Sequence, residues 1–197
     1  MFETLIHTLK QQANISDAGI ETFISSLKIK YIKKKKNLLN EGDGGDRMYY
    51  VNEGLFRYYI FDEHGNEHTI NLVSQNNWFG DAEAFLLQQP ASVYIEALED
   101  SQVFELTYED LHRFYDEIPM FERAVRKIIE RYFIKALRRS KKVNRAGYSA
   151  QERYLEFLKF HPGLGNRVPA IYLASYLGIT PETLSRLRSQ SLRKVHQ

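Results

Sequence analysis

The hydrophobic period of this chain changes twice. Residues 1–27 carry Leu5, Ile6 and Leu9, then Ile20, Phe23, Ile24 and Leu27, at the three- and four-residue spacing of amphipathic helices. Asn14 to Gly19 interrupts them, and Ser16 with Asp17 is placed to cap the second helix. From Lys28 the period drops to two. Lys28–Lys33, Met48–Val51, Phe56–Phe61, His68–Val73, Ser92–Ala97 and Gln102–Leu106 are β-rich runs. Turn signals separate them at Glu41–Gly45, Asn52–Gly54, Glu63–Asn66, Asn76–Asn77, Gln89–Pro90 and Glu99–Asp100. Gly42, Gly54 and Gly65 lie 12 and 11 residues apart, an interval that predicts short antiparallel strands in a compact sandwich or barrel.

From Thr107 the period is helical again. Thr107, with Asp110 three residues on, predicts the N-cap of a short helix ending near Tyr115. A long helix is expected from Pro119 to Lys142, with Pro119 in its first turn. Its apolar positions include Phe121, Val125, Ile128, Ile129, Tyr132 and Ala136, a stripe longer than one small sheet can cover. That excess predicts pairing with a second helix, against the plainer reading of a core helix with a solvated face. Asn144–Gly147 reads as a domain boundary, Ala150–Phe160 as a helix broken by His161-Pro162-Gly163, and Val168-Pro169 as the opening of another. The expected class is therefore α+β, with an N-terminal β domain (1–118), a dimerisation helix (119–143) and a C-terminal helical domain (144–197).

Charge divides along the same line. Residues 1–121 hold 10 Lys/Arg and 20 Asp/Glu, whereas 122–197 hold 17 and 5. A net charge of +2 thus conceals an acidic half and a basic one suited to nucleic acid. The absence of cysteine excludes disulfides, thiolate zinc sites, cysteine-ligated iron–sulfur clusters and thiol nucleophiles. No basic stretch followed by an apolar one opens the chain, and no apolar run approaches the roughly 18 residues of a membrane span, so a cytoplasmic protein without membrane contact is expected.

The most specific segment runs from Val168 to Arg188. One helix over 170–177 ends at Gly178, which supplies the positive φ of a tight turn. Thr180 is the expected N-cap of the next, with Pro181 at its first position and Glu182 in its first turn. Ile171, Leu177, Ile179, Leu184 and Leu187 are the expected core beneath, and Ala174 is small where the helices approach. The outer face carries Thr180, Glu182, Thr183, Ser185, Arg186, Arg188 and Ser189, donors and acceptors suited to base edges and phosphates in a major groove. The plainer reading is an ordinary helical hairpin.

In these residues the sequence resembles the Crp/Fnr-type transcription regulators. The resemblance is strongest in "YLASYLGITPETLSRLR", with support from "NEGD", "YYVNEGLFRYY" and "FGDAEAFL". It implies a cyclic-nucleotide-binding-like β-roll (double-stranded β-helix), a dimer helix and a helix-turn-helix. The implied partners are double-stranded DNA, a second copy of the chain and RNA polymerase. Glu182 and Arg186 match positions at which family members commonly contact bases. Pro181 stands where many relatives have Arg, so the operator is expected to differ. Nine residues follow Arg188, so little or no wing is expected, and Arg188, Arg193 and Lys194 are expected to serve the DNA backbone.

The same resemblance places an effector pocket at Phe79, Gly80, Asp81, Ala82, Ala91 and Ser92. In the family, N–H groups of a short helix and one Arg neutralise a cyclic phosphate, and a Glu takes the ribose hydroxyl. Here the Arg position falls on Ala91, and Asp81 is one methylene shorter than the usual Glu. Cyclic AMP and cyclic GMP are therefore expected to bind weakly or not at all. The pocket is expected to be empty, closed by Phe85 and Tyr94, or adapted to another small molecule, and no cofactor is expected.

Three other readings stay open. Glu63, His64, Glu67 and His68 have the composition of a metal site but fall in a hairpin turn, so no metal is expected; a cupin-like metalloenzyme would need them turned inward. A small-molecule-binding module without a DNA role would leave the helix-turn-helix unexplained. Lys33–Lys36 reads as a solvated strand end or an extra DNA contact. No arrangement of catalytic residues appears, so an enzyme is not expected.

Overall fold

A computed structural model describes residues 2–143 and 149–195, with the side chains of 138–143 and 191–195 left outside the description. The expected boundary at 144–147 and the side chains of Arg193 and Lys194 lie outside the described residues. The chain divides into two compact units, residues 1–57 with 72–142, and 58–71 with 143–197.

The first unit begins with helices α1 (Glu3–Gln12) and α2 (Asp17–Ser26). Ser16 caps α2 by accepting the Gly19 N–H at 3.1 Å. The strands follow as β1 (Lys28–Ile32), β2 (Asn37–Leu39), β3 (Arg47–Glu53), β4 (Leu55–Phe61), β5 (Glu67–Ser74) and β6 (Trp78–Phe79). After the short helix α3 (Ala82–Leu87) come β7 (Tyr94–Ala97) and β8 (Ser101–Thr107). They form two four-stranded sheets, ordered β1-β8-β3-β6 and β2-β7-β4-β5. The pairs β1·β8, β3·β8, β3·β6 and β2·β7 are all antiparallel. The two-residue period thus resolves into a β-roll, and β2 and β6 are strands too short to leave a periodic signal.

The first sheet has one face for each neighbour. Tyr50, Phe104 and Leu106 meet Leu5, Leu9, Ile20 and Phe23 of the N-terminal helices. On the alternate parity, Tyr49 and Phe79 are in ring contact at 5.7 Å, and Phe79 with Phe56 at 4.7 Å. A buried ion pair joins β4 to β7, Arg57 Nε to Glu96 Oε2 at 2.5 Å. Its register gave no sign in the sequence that these two charges would meet.

Helix α4 (Tyr108–Glu117) is capped by Thr107, which accepts the Asp110 N–H at 3.1 Å. The long helix α5 (Phe121–Val143) starts two residues later than expected, because Met120 takes φ +69° and Pro119 stays in the preceding turn. Phe121 corrects the pairing stripe. It is 1% exposed and packs on Phe23 at 5.1 Å and Phe114 at 5.5 Å, in the core of this unit. Val125 and Ile128 are half-buried against the same core. Among the described side chains of α5, the apolar residues left outward are Ile129, Tyr132, Phe133, Ile134 and Leu137, with Phe133 62% exposed; Ala136 is exposed as well.

The second unit holds helices α6 (Ala150–Phe160), α7 (Leu164–Arg167), α8 (Ala170–Leu177) and α9 (Pro181–Val195). Ser149 and Glu152 form a capping box at the start of α6, each taking the other's backbone N–H. The one-turn helix α7 was not expected from the sequence. Residues 58–71 belong with this unit, where the Thr69 N–H donates to Ser175 Oγ at 2.9 Å.

Candidate nucleic-acid interface and effector cassette

Helices α8 and α9 meet across a turn set by backbone chemistry. Gly178 ends α8 with φ +62° and ψ +42°, a conformation that an L side chain resists. Its N–H donates to Ser175 O, and the Ile179 N–H reaches back to Ala174 O, both at 3.0 Å. Thr180 Oγ1 accepts the Thr183 N–H at 3.3 Å, and Pro181 is the first residue of α9. The core beneath is Leu173, Ala174, Leu177, Leu184 and Leu187. Ile179 is only half-buried, and Ile171 is exposed rather than buried, because at about 100° per residue it lies some 200° around α8 from Leu173.

The outer face of α9 is open. Glu182, Ser185, Arg186 and Ser189 are exposed, Thr180 lies exposed ahead of them, and Thr183 is half-buried. Beyond the Thr180–Thr183 cap, the Glu182 and Ser189 side chains are partly engaged. The Glu182 carboxylate accepts its own backbone N–H and the Thr180 hydroxyl, which holds its pKa below the ordinary glutamate value. Ser189 Oγ donates to Ser185 O at 3.1 Å.

Arg188 departs from the expected set. Its guanidinium donates to Gly165 O at 2.5 Å and reaches Val168 O at 3.4 Å, tying α9 to the turn that carries α7 into α8. Its Nε is buried without a hydrogen-bond partner. The reason is positional: Arg188 follows Leu187 on the inner side of α9, so its long side chain reaches carbonyls that the end of α7 leaves open. A sequence signal existed in the alternation of Arg186 and Arg188 around the buried Leu187, but the α7 carbonyls were unknown.

The residues of the expected effector pocket lie in the first unit. Phe79 and Gly80 are buried, and Asp81 caps α3. Its Oδ1 accepts the Ala84 N–H at 3.1 Å, and its Oδ2 accepts both the N–H and the hydroxyl of Ser92, at 2.8 and 2.9 Å. Burial pushes the Asp81 pKa up, but the donors of Ser92, Ala84 and Glu83 outweigh it and hold the group below its ordinary value. Of the expected pocket residues, Asp81 and Ser92 are thus drawn together through the cap, and Ala82 is exposed at the start of α3. Ala91 is buried, with its N–H on Asp43 O and its C=O taking the Gly42 N–H, both at 2.8 Å. A bridge between Gly44 and Pro90 continues this seam. Gly45 lies so near that a Cβ there would come within 2.3 Å of Gln89 O and 2.5 Å of Ala84 Cβ. Phe85, one of the side chains weighed as closing the pocket, packs in the helical core, 5.3 Å from Tyr108.

At the β4–β5 turn, Asp62 accepts from the His68 ring at 2.8 Å and from the His64 and Asn66 N–H groups, so these histidines serve a hairpin tip. Among the described residues, no three His, Asp or Glu side chains come together to hold a metal, and no helix is long and apolar enough to cross a membrane.

Residues 29–117 match the cyclic nucleotide-binding domain family. A cAMP-activated global transcriptional regulator CRP from Pasteurella multocida is 29% identical over 93 residues, 47% of this chain. That match spans 44% of the relative's own length. Two solved structures share the architecture over most of the chain. The c-di-GMP-responsive global regulator CLP of Xanthomonas campestris has a TM-score of 0.69 at 17% identity, covering 91% of this chain and 93% of its own. FixK2 from Bradyrhizobium japonicum has a TM-score of 0.70 at 19% identity, covering 85% of each. A roll matched in sequence, followed by a long helix and a capped two-helix turn, gives this chain a cyclic nucleotide-binding-type domain over 29–117 and the fold of these two solved structures.

Proposed function

We propose that the chain is a homodimeric, DNA-binding transcription regulator without catalytic activity, acting in the cytoplasm. Residues 1–118 form the sensor-like roll, 119–143 the pairing helix and 144–197 the DNA-binding domain. The observation that carries this reading is Arg186, exposed on the outer face of a helix whose inner face is fixed by Leu184 and Leu187. A fork of five N–H donors held outward on a capped helix suits a guanine edge in a major groove. Glu182 suits a cytosine amino group, at the cost of exchanging its contact with Thr180 for one with the base. Arg188 is reassigned from the DNA backbone to the interior of the domain.

Pairing is supported by Ile129, Phe133, Ile134 and Leu137, apolar residues left outward along one helix. Two such subunits would set half-sites about one helical turn apart, roughly 34 Å, in a near-palindrome. Selection of bound fragments from a random DNA pool tests this. The expected result is enrichment of such a palindrome, and no enrichment contradicts the reading.

A further inference from the structure

The cassette at 80–92 holds an anion of its own. The Asp81 carboxylate takes the Ala84 N–H, the Ser92 N–H and the Ser92 hydroxyl, and it is only 7% exposed. The next residue along is equally committed, since Ala91 gives its N–H to Asp43 O and its carbonyl to Gly42 N–H. The Gly44–Pro90 bridge and the close approach of Gly45 to Gln89 and Ala84 draw the 42–45 turn over this segment. An incoming phosphate would seek the same N–H and O–H donors. It would have to displace a carboxylate that shares its sign and is already bonded.

We propose that Asp81 is a built-in replacement for an anionic effector, so that the roll is held in one state by its own carboxylate and takes no cyclic nucleotide. The functional consequence rests on the DNA-binding reading: DNA affinity is set without a phosphate-bearing ligand. The structural claim does not rest on it, and the two are tested separately.

The experiment uses the full chain, dialysed free of small molecules, and the Asp81→Ala and Ser92→Ala variants. Inorganic phosphate, cyclic AMP and cyclic GMP are each titrated at millimolar concentration while heat of binding and melting temperature are followed. The wild type is expected to give no binding heat and no shift. Asp81→Ala, which frees the donors, is expected to melt lower and to regain several degrees with phosphate. Ser92→Ala, which removes a single hydroxyl, keeps the carboxylate in place and is expected to stay unresponsive, so the test survives if Asp81→Ala does not fold.

Micromolar binding of either nucleotide to the wild type would overturn the proposal, as would an Asp81→Ala variant that folds yet ignores phosphate. In a parallel arm, affinity for the selected DNA is expected to change less than twofold on adding cyclic AMP or cyclic GMP. A tenfold tightening would overturn the claim of an effector-free state. Absence of DNA binding under every condition, with the wild type still silent in calorimetry, would contradict the DNA-binding reading and support the occupied cassette.

Discussion

The cassette at 80–92 and the outer face of α9 are built from similar materials and are left in opposite states. Both sit at the start of a helix, and both carry a carboxylate with hydroxyl neighbours. In the cassette, Asp81 is buried and three donors converge on it, so the polar groups satisfy one another. On α9, Glu182 is exposed and holds only its own N–H and one hydroxyl, and Arg186 beside it stands outward. A site whose hydrogen bonds are closed internally contributes to folding; one whose donors remain in water can exchange them for a partner at little cost. Substitutions in the first region should therefore change stability and leave sequence readout alone, and those in the second should do the reverse.

The largest expected effect lies in the closed region. Gly45→Ala places a Cβ 2.3 Å from Gln89 O and 2.5 Å from Ala84 Cβ, where backbone must yield. Chemical denaturation should show a loss of about 3 kcal/mol, at the upper end of ordinary overpacking, with the preferred DNA sequence unchanged. Next comes Arg188→Ala, which belongs to the reading helix by position but to the closed region by its bonds. It should cost about 1–3 kcal/mol of stability by leaving the Gly165 and Val168 carbonyls without their donor. DNA affinity should fall with it while the slope of log K against log salt stays the same; a slope shallower by about 0.9 would make Arg188 a phosphate contact after all.

Thr180→Ala stands between the regions. Loss of the N-cap should lower the melting free energy of the C-terminal unit by about 1 kcal/mol and weaken binding to all sequences equally. The smallest effect is expected from pH. Asp81 is held below the ordinary value of 3.8, so its contribution is fully present above that value and is lost only as pH falls through the lower folded-state pKa. Amide exchange at Ser92 and Ala84, corrected for intrinsic rates, should show constant protection from pH 7 to pH 5. Loss of protection in that window would mean that the carboxylate is not held as described.

Legibility differed between the regions for a physical reason. The caps at Ser16, Thr107 and Thr180, the Gly178 turn and the bounds of α6 were readable because each is fixed by residues within four positions. The strands were readable by period, apart from β2 and β6, which are three and two residues long. What the sequence withheld were pairings across many residues. Arg57 meets Glu96, Arg188 reaches Gly165, and the Tyr132 hydroxyl on α5 accepts the Trp78 N–H at 2.8 Å. Phe121 and Ile171 were misplaced for a related reason: both lie on apolar stripes, and the side of the stripe that is covered is decided by a neighbouring helix.

The central claim is that Arg186 reads a base while the surrounding helix is held from within. Its most direct test is base-resolved affinity: the wild type and Arg186→Ala, each measured against the selected site with every position of one half-site substituted in turn. The account predicts that Arg186→Ala melts within about 0.5 kcal/mol of the wild type and loses about 1–3 kcal/mol of discrimination at a single G·C pair in each half-site, with the other positions unchanged. A uniform loss across all positions, or discrimination that survives intact, would contradict it.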